Sequence, residues 1–415
     1  MSPNEWLYLI LGIVVVDYVI DQVLDFLNLK HSKTAVPDKL KELYNEEEYA
    51  RAQEYQKAKS RFGFLTSAFS TVLTIAVLSL GGFGWLDGFL RDYITDPILL
   101  SLGFFGVLFV LSDIINTPFS YYSTFVIEER FGFNKTTLKT FLMDKLKGYL
   151  LTIIVGGLLG YALLYIVHQL GEYFWLYALG LVSVFMLVMN LFYTSLILPL
   201  FNKLKPLEEG ELKEKIMEYA KGVSFPLDNI FVIDGSKRST KANAFFSGMG
   251  RKKKIVLYDT LIEKHSHEEL VAVLAHEVGH FKKKHIVLSL ILSVVQMAIT
   301  FYVLSLFVFS ENLSVALGGS EMAIHLNFIA FGLLYTPISR LTGLLMNALS
   351  RKNEFEADAF AVTTYSAQPL MEALKKLSVS TLSNLTPHPA YVFAHYSHPP
   401  LLQRLNAMEE LSKGS

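Results

Sequence analysis

Cysteine is absent from the 415-residue chain, which excludes a disulfide scaffold and any thiolate-bound metal. Any metal site here would have only histidine and carboxylate to draw on. An excess of either charge is also missing: 37 Lys and Arg stand against 38 Asp and Glu, a net charge of −1. No global basic field exists to attract nucleic acid, so no nucleic-acid partner is expected. No repeat of fixed period and no low-complexity tract occurs. The first apolar block has no basic region before it and no small-residue cleavage site after it. It is expected to be a retained helix and not a signal peptide.

Apolar residues are what the chain has in quantity. Hydrophobic types make up 52% of it and the mean hydropathy is +0.37, a membrane composition. Apolar blocks of about twenty residues, enough to cross a bilayer, alternate with charged segments. The pattern predicts seven spans, near Trp6–Leu27, Phe62–Phe89, Pro97–Ile115, Gly148–His168, Phe174–Phe201, His285–Phe309 and Ile324–Leu345. Pro118, Pro199 and Pro337 lie in or at the ends of such blocks, where they would bend or end helices. Eight Lys and Arg precede the second span and five separate the third from the fourth. Met1–Glu5, Gly171–Tyr173 and Glu311–Glu321 carry none. The positive-inside rule then puts the amino terminus outside and the carboxyl terminus inside, as an odd number of spans requires. Residues 202–284 and 350–415 fall on the cytoplasmic side. The expected organisation is spans 1–5 within 1–201, a cytoplasmic-side segment over 202–284, spans 6–7 within 285–349, and a carboxy-terminal cytoplasmic-side segment over 350–415.

The first span is unusual. Asp17, Asp21 and Asp25 follow one another at helical spacing, and a carboxylate at the bilayer centre costs about 2.5–3.5 kcal/mol. The stripe should face water or protein, unless Asp21 and Asp25 already reach the headgroup region.

One short stretch carries chemistry: His276-Glu277-Val278-Gly279-His280. Two histidines four apart on a helix project from one face, and Glu277 turns toward the same cleft. That is the pattern of a zinc site with its own general base, which needs a third protein ligand and a fourth position open to water. Ser266 and Glu269 form a capping box ahead of an apolar run, so a helix should start there, and Lys282-Lys283-Lys284 suits its end. Just before it, Asn229–Asp234 and Lys254–Asp259 read as two strands joined by a Gly-rich basic turn segment, a small sheet whose edge could take an extended peptide by strand addition.

The third ligand should come from Glu354, Glu356 or Asp358, directly after the last span on the same membrane side. Glu354 and Asp358 share a helix face while Glu356 points away, so one of the pair can bind metal while the other hydrogen-bonds a ligating histidine. His398 precedes a double proline near a helix start, a position that serves either a cap or a cleft. Asn243 reads as a turn residue. His285, five residues beyond His280, falls well round a continuous helix and is left out. His388 and His395 lack partner spacing and read as surface or packing residues. A competing class is a transporter whose aspartates line an ion pathway and whose zinc is structural; a structural site would need neither a base between its ligands nor an open position.

Five separated motifs, Phe125–Thr137, Asp234–Phe246, His276–His280, Asn353–Ala361 and Tyr396–Leu405, together resemble the type I CAAX prenyl proteases, seven-span zinc metalloproteases of the gluzincin kind. The resemblance implies a mainly α membrane protein whose helices enclose a water-filled chamber, with an α+β zincin-like domain on the cytoplasmic side. It implies one zinc held by His276, His280 and Glu354, Glu277 as base, and Asp358 as the partner of a ligand. Asn243, His398 and Arg404 would help bind substrate backbone or the developing oxyanion. The expected partners are a peptide or protein substrate, prenylated in the eukaryotic members, and the lipid bilayer; a monomer is expected. The membrane would be the endoplasmic reticulum in a eukaryote and the cytoplasmic membrane in a prokaryote, and no evident retention signal decides between them. Within the proteases the alternative is an HtpX-like quality-control enzyme, against which the seven spans and Ser397-His398-Pro399-Pro400 speak.

Overall fold

The computed structural model describes residues 1–32, 36–41, 45–247 and 253–414. Part of the basic turn expected between the strands, residues 248–252, lies outside them. Five helical runs among the described residues are long and apolar enough to cross a membrane: Pro3–His31, Glu46–Ser79, Pro97–Glu128, Leu138–Phe201 and His285–Ser305. Ile324–Leu334 and Thr336–Thr364 add a sixth as a pair bent by 51°. The protein is thus a mainly helical, multi-pass membrane protein. The first helix starts on Ser2, whose hydroxyl accepts from the Glu5 N–H while Glu5 reaches back to the Ser2 N–H, so two otherwise orphaned donors are satisfied.

Several spans differ in extent from their expected bounds. The second stops at Ser79, and Gly82–Arg91 is a separate short helix where one continuous span to Phe89 was expected. Gly81 adopts φ +66, which turns the chain, and a Cβ on Gly84 would lie within 2.0 Å of the Gly318 carbonyl carbon, so only glycine permits this packing. The sixth span ends at Ser305. The last is broken at Tyr335, beside Pro337, whose ring cannot continue the ladder from the preceding turn. The run Leu138–Phe201 turns back on itself at Gly171, at φ +51, so that Gly157–Leu170 packs against Phe174–Phe192.

Outside the apolar helices lies a four-stranded sheet, twice the number of strands expected. β1 (Leu204–Pro206), β2 (Leu227–Ile233), β3 (Ala244–Ser247) and β4 (Lys253–Tyr258) stand in the order β1-β2-β4-β3. β2 and β4 are parallel, while β1 and β3 join antiparallel and form the edges. β1 is three residues ending in proline and β3 is four residues, too short for alternation to reveal. The sheet packs on the helix His267–Lys282, which carries both motif histidines, and on the end of Thr336–Thr364. Ile230, Ile255, Leu257, Leu270, Leu274 and Val278 belong to this core. Burial of that apolar face holds the motif helix in place.

Candidate metal centre

The motif helix begins at the expected capping box, with Ser266 Oγ accepting from the Glu269 N–H and the Glu269 carboxylate accepting from the Ser266 N–H. It crosses the end of Thr336–Thr364 at very close range. A Cβ built on Gly279 would come within 2.9 Å of the Ala357 Cα, so a glycine facing an alanine sets the separation of these two helices. Glu354 lies one turn before Ala357 and Asp358 directly after it, and the approach brings both acids onto the histidines.

Three side chains converge, two imidazoles and one carboxylate. His276 Nε2 lies 3.2 Å from His280 Nε2 and 3.4 Å from Glu354 Oε2, while His280 Nε2 lies 3.3 Å from Glu354 Oε1. Nitrogens and carboxylate oxygens this close to one another can share a central ion at about 2.0–2.2 Å, the length of zinc–nitrogen and zinc–oxygen bonds. Glu354 Oε2 is buried and accepts no hydrogen bond, although Arg404 Nη1 is 3.3 Å away. An orphaned buried acceptor of this kind asks for a cation. Behind the ligand face, His276 Nδ1 bonds Asp358 Oδ1 at 2.8 Å. Arg404 in turn donates to Asp358 through Nε at 2.7 Å and Nη2 at 2.6 Å. The donor set therefore fits a zinc ion with an oriented ligand shell.

The electrostatics follow from burial and pairing. His276 is raised to about 9: burial works against its charge, but the Asp358 and Glu354 carboxylates beside it outweigh burial. A metal binds only the neutral ring, so binding would expel that proton. Burial likewise opposes ionisation of Glu354 and Asp358, yet the imidazoles and Arg404 hold both carboxyls below their ordinary range. Glu277 differs. Burial pushes its carboxyl up against the pull of His276 and His280, the direction that suits a general base working near neutral pH.

Glu277 opens into a cleft of about 160 Å³ lined also by Asn243, Ala244, His276, Glu354, His398 and Arg404. All eight residues singled out from the sequence thus gather in one place. Asn243 sits at the start of the edge strand β3, its carbonyl accepting from the Tyr258 N–H at 3.1 Å. His398 is exposed, with Nδ1 3.0 Å from Ser397 Oγ and Nε2 3.3 Å from Glu354 Oε1. Arg404 is buried, its fork turned onto Asp358. Glu356 points away, as its spacing predicts, to His285 Nε2 at 3.2 Å.

His285 itself is a correction. Its Nδ1 lies 3.0 Å from His280 Nδ1, so it reaches the back of the His280 ring, away from Glu354. The counting that excluded it presumes a continuous helix, whereas Lys284 adopts φ +60 and a new helix starts at His285. His388 caps a helix through Nδ1, and His395 lies 3.8 Å from Asp21. The first two aspartates of the stripe face protein: Arg340 bonds Asp17 at 2.8 Å and Asp21 at 2.9 Å.

Comparison with known proteins bears on this centre. Residues 25–203 match the CAAX prenyl protease N-terminal domain, described as five membrane helices, and residues 206–412 match peptidase family M48. The chain is 37% identical to CAAX prenyl protease 1 homolog of Oryza sativa subsp. japonica, over 98% of this chain and 97% of that one. It is 34% identical to CAAX prenyl protease 1 of Saccharomyces cerevisiae over 99% and 97%, and 33% identical to the Homo sapiens homolog over 92% and 90%. The crystal structure of S. mikatae Ste24p is similar with a TM-score of 0.92 at 33% identity, covering 97% of this chain and 99% of that one.

Proposed function

The chain belongs to the CAAX prenyl protease branch of peptidase family M48, and from that premise we propose that it is a membrane zinc endopeptidase cutting near the carboxyl end of CAAX-type, prenylated peptides. The observation that carries this reading is the convergence of His276, His280 and Glu354 with Glu277 at the head of the cleft. His276 Nε2, His280 Nε2 and the Glu354 carboxylate would hold the metal. Zinc held there supplies Lewis-acid polarisation of the scissile carbonyl and a lowered pKa for the attacking water.

The remaining roles belong to the chain. Glu277 takes the proton from the attacking water and passes it to the leaving amine. Asp358, clamped by Arg404, accepts from His276 Nδ1–H, which fixes the tautomer that leaves Nε2 free to ligate. His398, with its ring beside the cleft, donates to the oxyanion as it forms, and Arg404 Nη1 adds positive charge on the same side. Asn243 and the free edge of β3 receive the substrate backbone by strand addition, which fixes register and leaves side-chain choice loose. Substituting proline at successive substrate positions removes one N–H at a time; indifference at every position would count against strand pairing.

The membrane arrangement is part of the same reading. The 64-residue run Leu138–Phe201 would be roughly 96 Å long as one helix, far more than one bilayer core, and because it turns back at Gly171 it counts as two crossings. With the bent pair the total is seven, the amino terminus outside, and the carboxyl terminus and active site cytoplasmic. At most 17% of any apolar window in these five runs is buried inside the protein, which suits helices whose outer faces meet lipid, and a water-filled chamber between them belongs to the same proposal. The segments 1–201, 202–284, 285–349 and 350–415 act together in a monomer.

Purified protein should cleave a farnesylated CAAX peptide in a chelator-sensitive manner, and mass spectrometry of the products locates the cut against an unmodified control. Glu277→Gln should retain zinc by elemental analysis and lose about 10²–10⁴ in turnover. An active Glu277→Gln enzyme would sink the mechanism.

A further inference from the structure

The catalytic cleft does not end at His398 and Arg404. Those two residues, with Ala242, Leu374 and Leu377, also line a second cavity of about 710 Å³. Its far wall carries Tyr55, Lys59 and Lys241. The two ammonium groups each lie 5.3 Å from the centroid of the Tyr55 ring, on which both bear. Lys241 spends two of its N–H donors, on Glu128 Oε2 at 2.7 Å and the Tyr55 hydroxyl at 2.9 Å. Lys59 has no carboxylate partner among the described residues. Glu128 offsets one of the two charges, so the wall is left with a net positive charge facing a cavity that joins the catalytic cleft. Arg404, at the junction, is already committed to Asp358.

Chain direction says which end of a peptide meets this wall. β3 runs from Ala244 toward Ser247, and Lys241 lies three residues before it. A substrate paired antiparallel to the free edge of β3 points its carboxyl end back past Asn243 and Ala242 toward Lys241. Three extended residues reach about 10 Å, the length of tail beyond the scissile bond in a CAAX-type peptide.

We propose that Lys59 and Lys241 form a carboxylate subsite that receives the free α-carboxylate at the end of the substrate and so sets where the chain is cut. This rests on the protease reading above and adds to it a determinant of position. A carboxylate paired with ammonium groups in a partly enclosed cavity makes charge-assisted hydrogen bonds of the stronger kind, and an amide in its place loses them.

The test uses two internally quenched farnesylated peptides of one sequence, one ending in the free acid and the other in the carboxamide, with purified full-length enzyme. The acid should be turned over with kcat/KM about ten- to a hundredfold above the amide, cut three residues from its end. Lys59→Gln should bring the acid-to-amide ratio to within threefold of one. Lys241→Gln should do the same, but it also strips Glu128 and Tyr55 of a partner, so Lys59→Gln alone decides the question if Lys241→Gln fails to fold. Equal rates on both peptides with wild-type enzyme, or a ratio unchanged in Lys59→Gln, overturns the subsite and leaves the protease intact. Cleavage of neither peptide by zinc-loaded enzyme removes the protease reading, and the subsite with it.

Discussion

His398 is exposed at the cleft, with 64% of its side chain accessible beside a Glu354 that is almost wholly buried. A group in that position holds little of the fold together and is free to follow a reacting carbonyl. His398→Ala should therefore cost about 10²–10³ in turnover, the usual loss of one oxyanion donor, with zinc content and melting temperature unmoved. A loss below threefold would remove His398 from the chemistry. The residues of the centre were not equally legible in the sequence. His276, Glu277 and His280 declare themselves because helical spacing alone puts them together. Glu354 and Asp358 are readable as a pair sharing a face, but which of them ligates depends on how the second helix meets the first, and no local pattern encodes that. Lys59 and Lys241 lie 182 positions apart and meet only through the ring of Tyr55.

The pair of helices around Gly279 and Ala357 is the element on which the centre depends. Helices this close require small residues at the crossing, and here the backbone of one leaves no room for a methyl group on the other. Gly279→Ala gains helix propensity, about 0.8–1.0 kcal/mol, and against that must push the helices apart, an overpacking cost of roughly 1–3 kcal/mol. The second effect should win. The variant should melt earlier and, because the displacement carries Glu354 away from both histidines, hold less than stoichiometric zinc by elemental analysis after dialysis. A variant with full zinc and unchanged melting would show that the crossing tolerates the methyl. The start of the motif helix was legible from its capping box, and its end from the three lysines. The left-handed turn at Lys284 was not, since φ > 0 at a lysine has no sequence signature, and that one dihedral brings His285 to His280. The edge strand β3 was equally hidden, because four residues carry too little alternation to distinguish a strand from a loop.

For the whole molecule, hydropathy and charge led to seven expected spans and a proposed orientation, whereas the described residues form five long apolar runs and one bent pair, and the pattern did not tell how the segments are closed. Arg340 pairs with Asp17 and Asp21 from far along the sequence, joining the first helix to Thr336–Thr364 across 323 positions. Asp17 and Asp21, each paired with Arg340, need no ion pathway to explain them. Orientation is open to direct measurement because the natural chain has no cysteine, so any introduced thiol is the only one present. Glu172, in the turn that reverses the 64-residue run, and Glu311, at the start of a short connecting helix, are both charged, and neither joins an ion pair among the described residues. Under the seven-span arrangement Glu172→Cys and Glu311→Cys should each react with a membrane-impermeant maleimide added outside sealed cells. Lys413→Cys, near the end of the last helix, should react only once the membrane is opened. If Glu172→Cys is protected while Glu311→Cys is labelled, the run Leu138–Phe201 does not turn on the outer side and the count falls from seven. Labelling of Lys413→Cys from outside would invert the topology and move the metal centre to the opposite face, away from any substrate made in the cytoplasm.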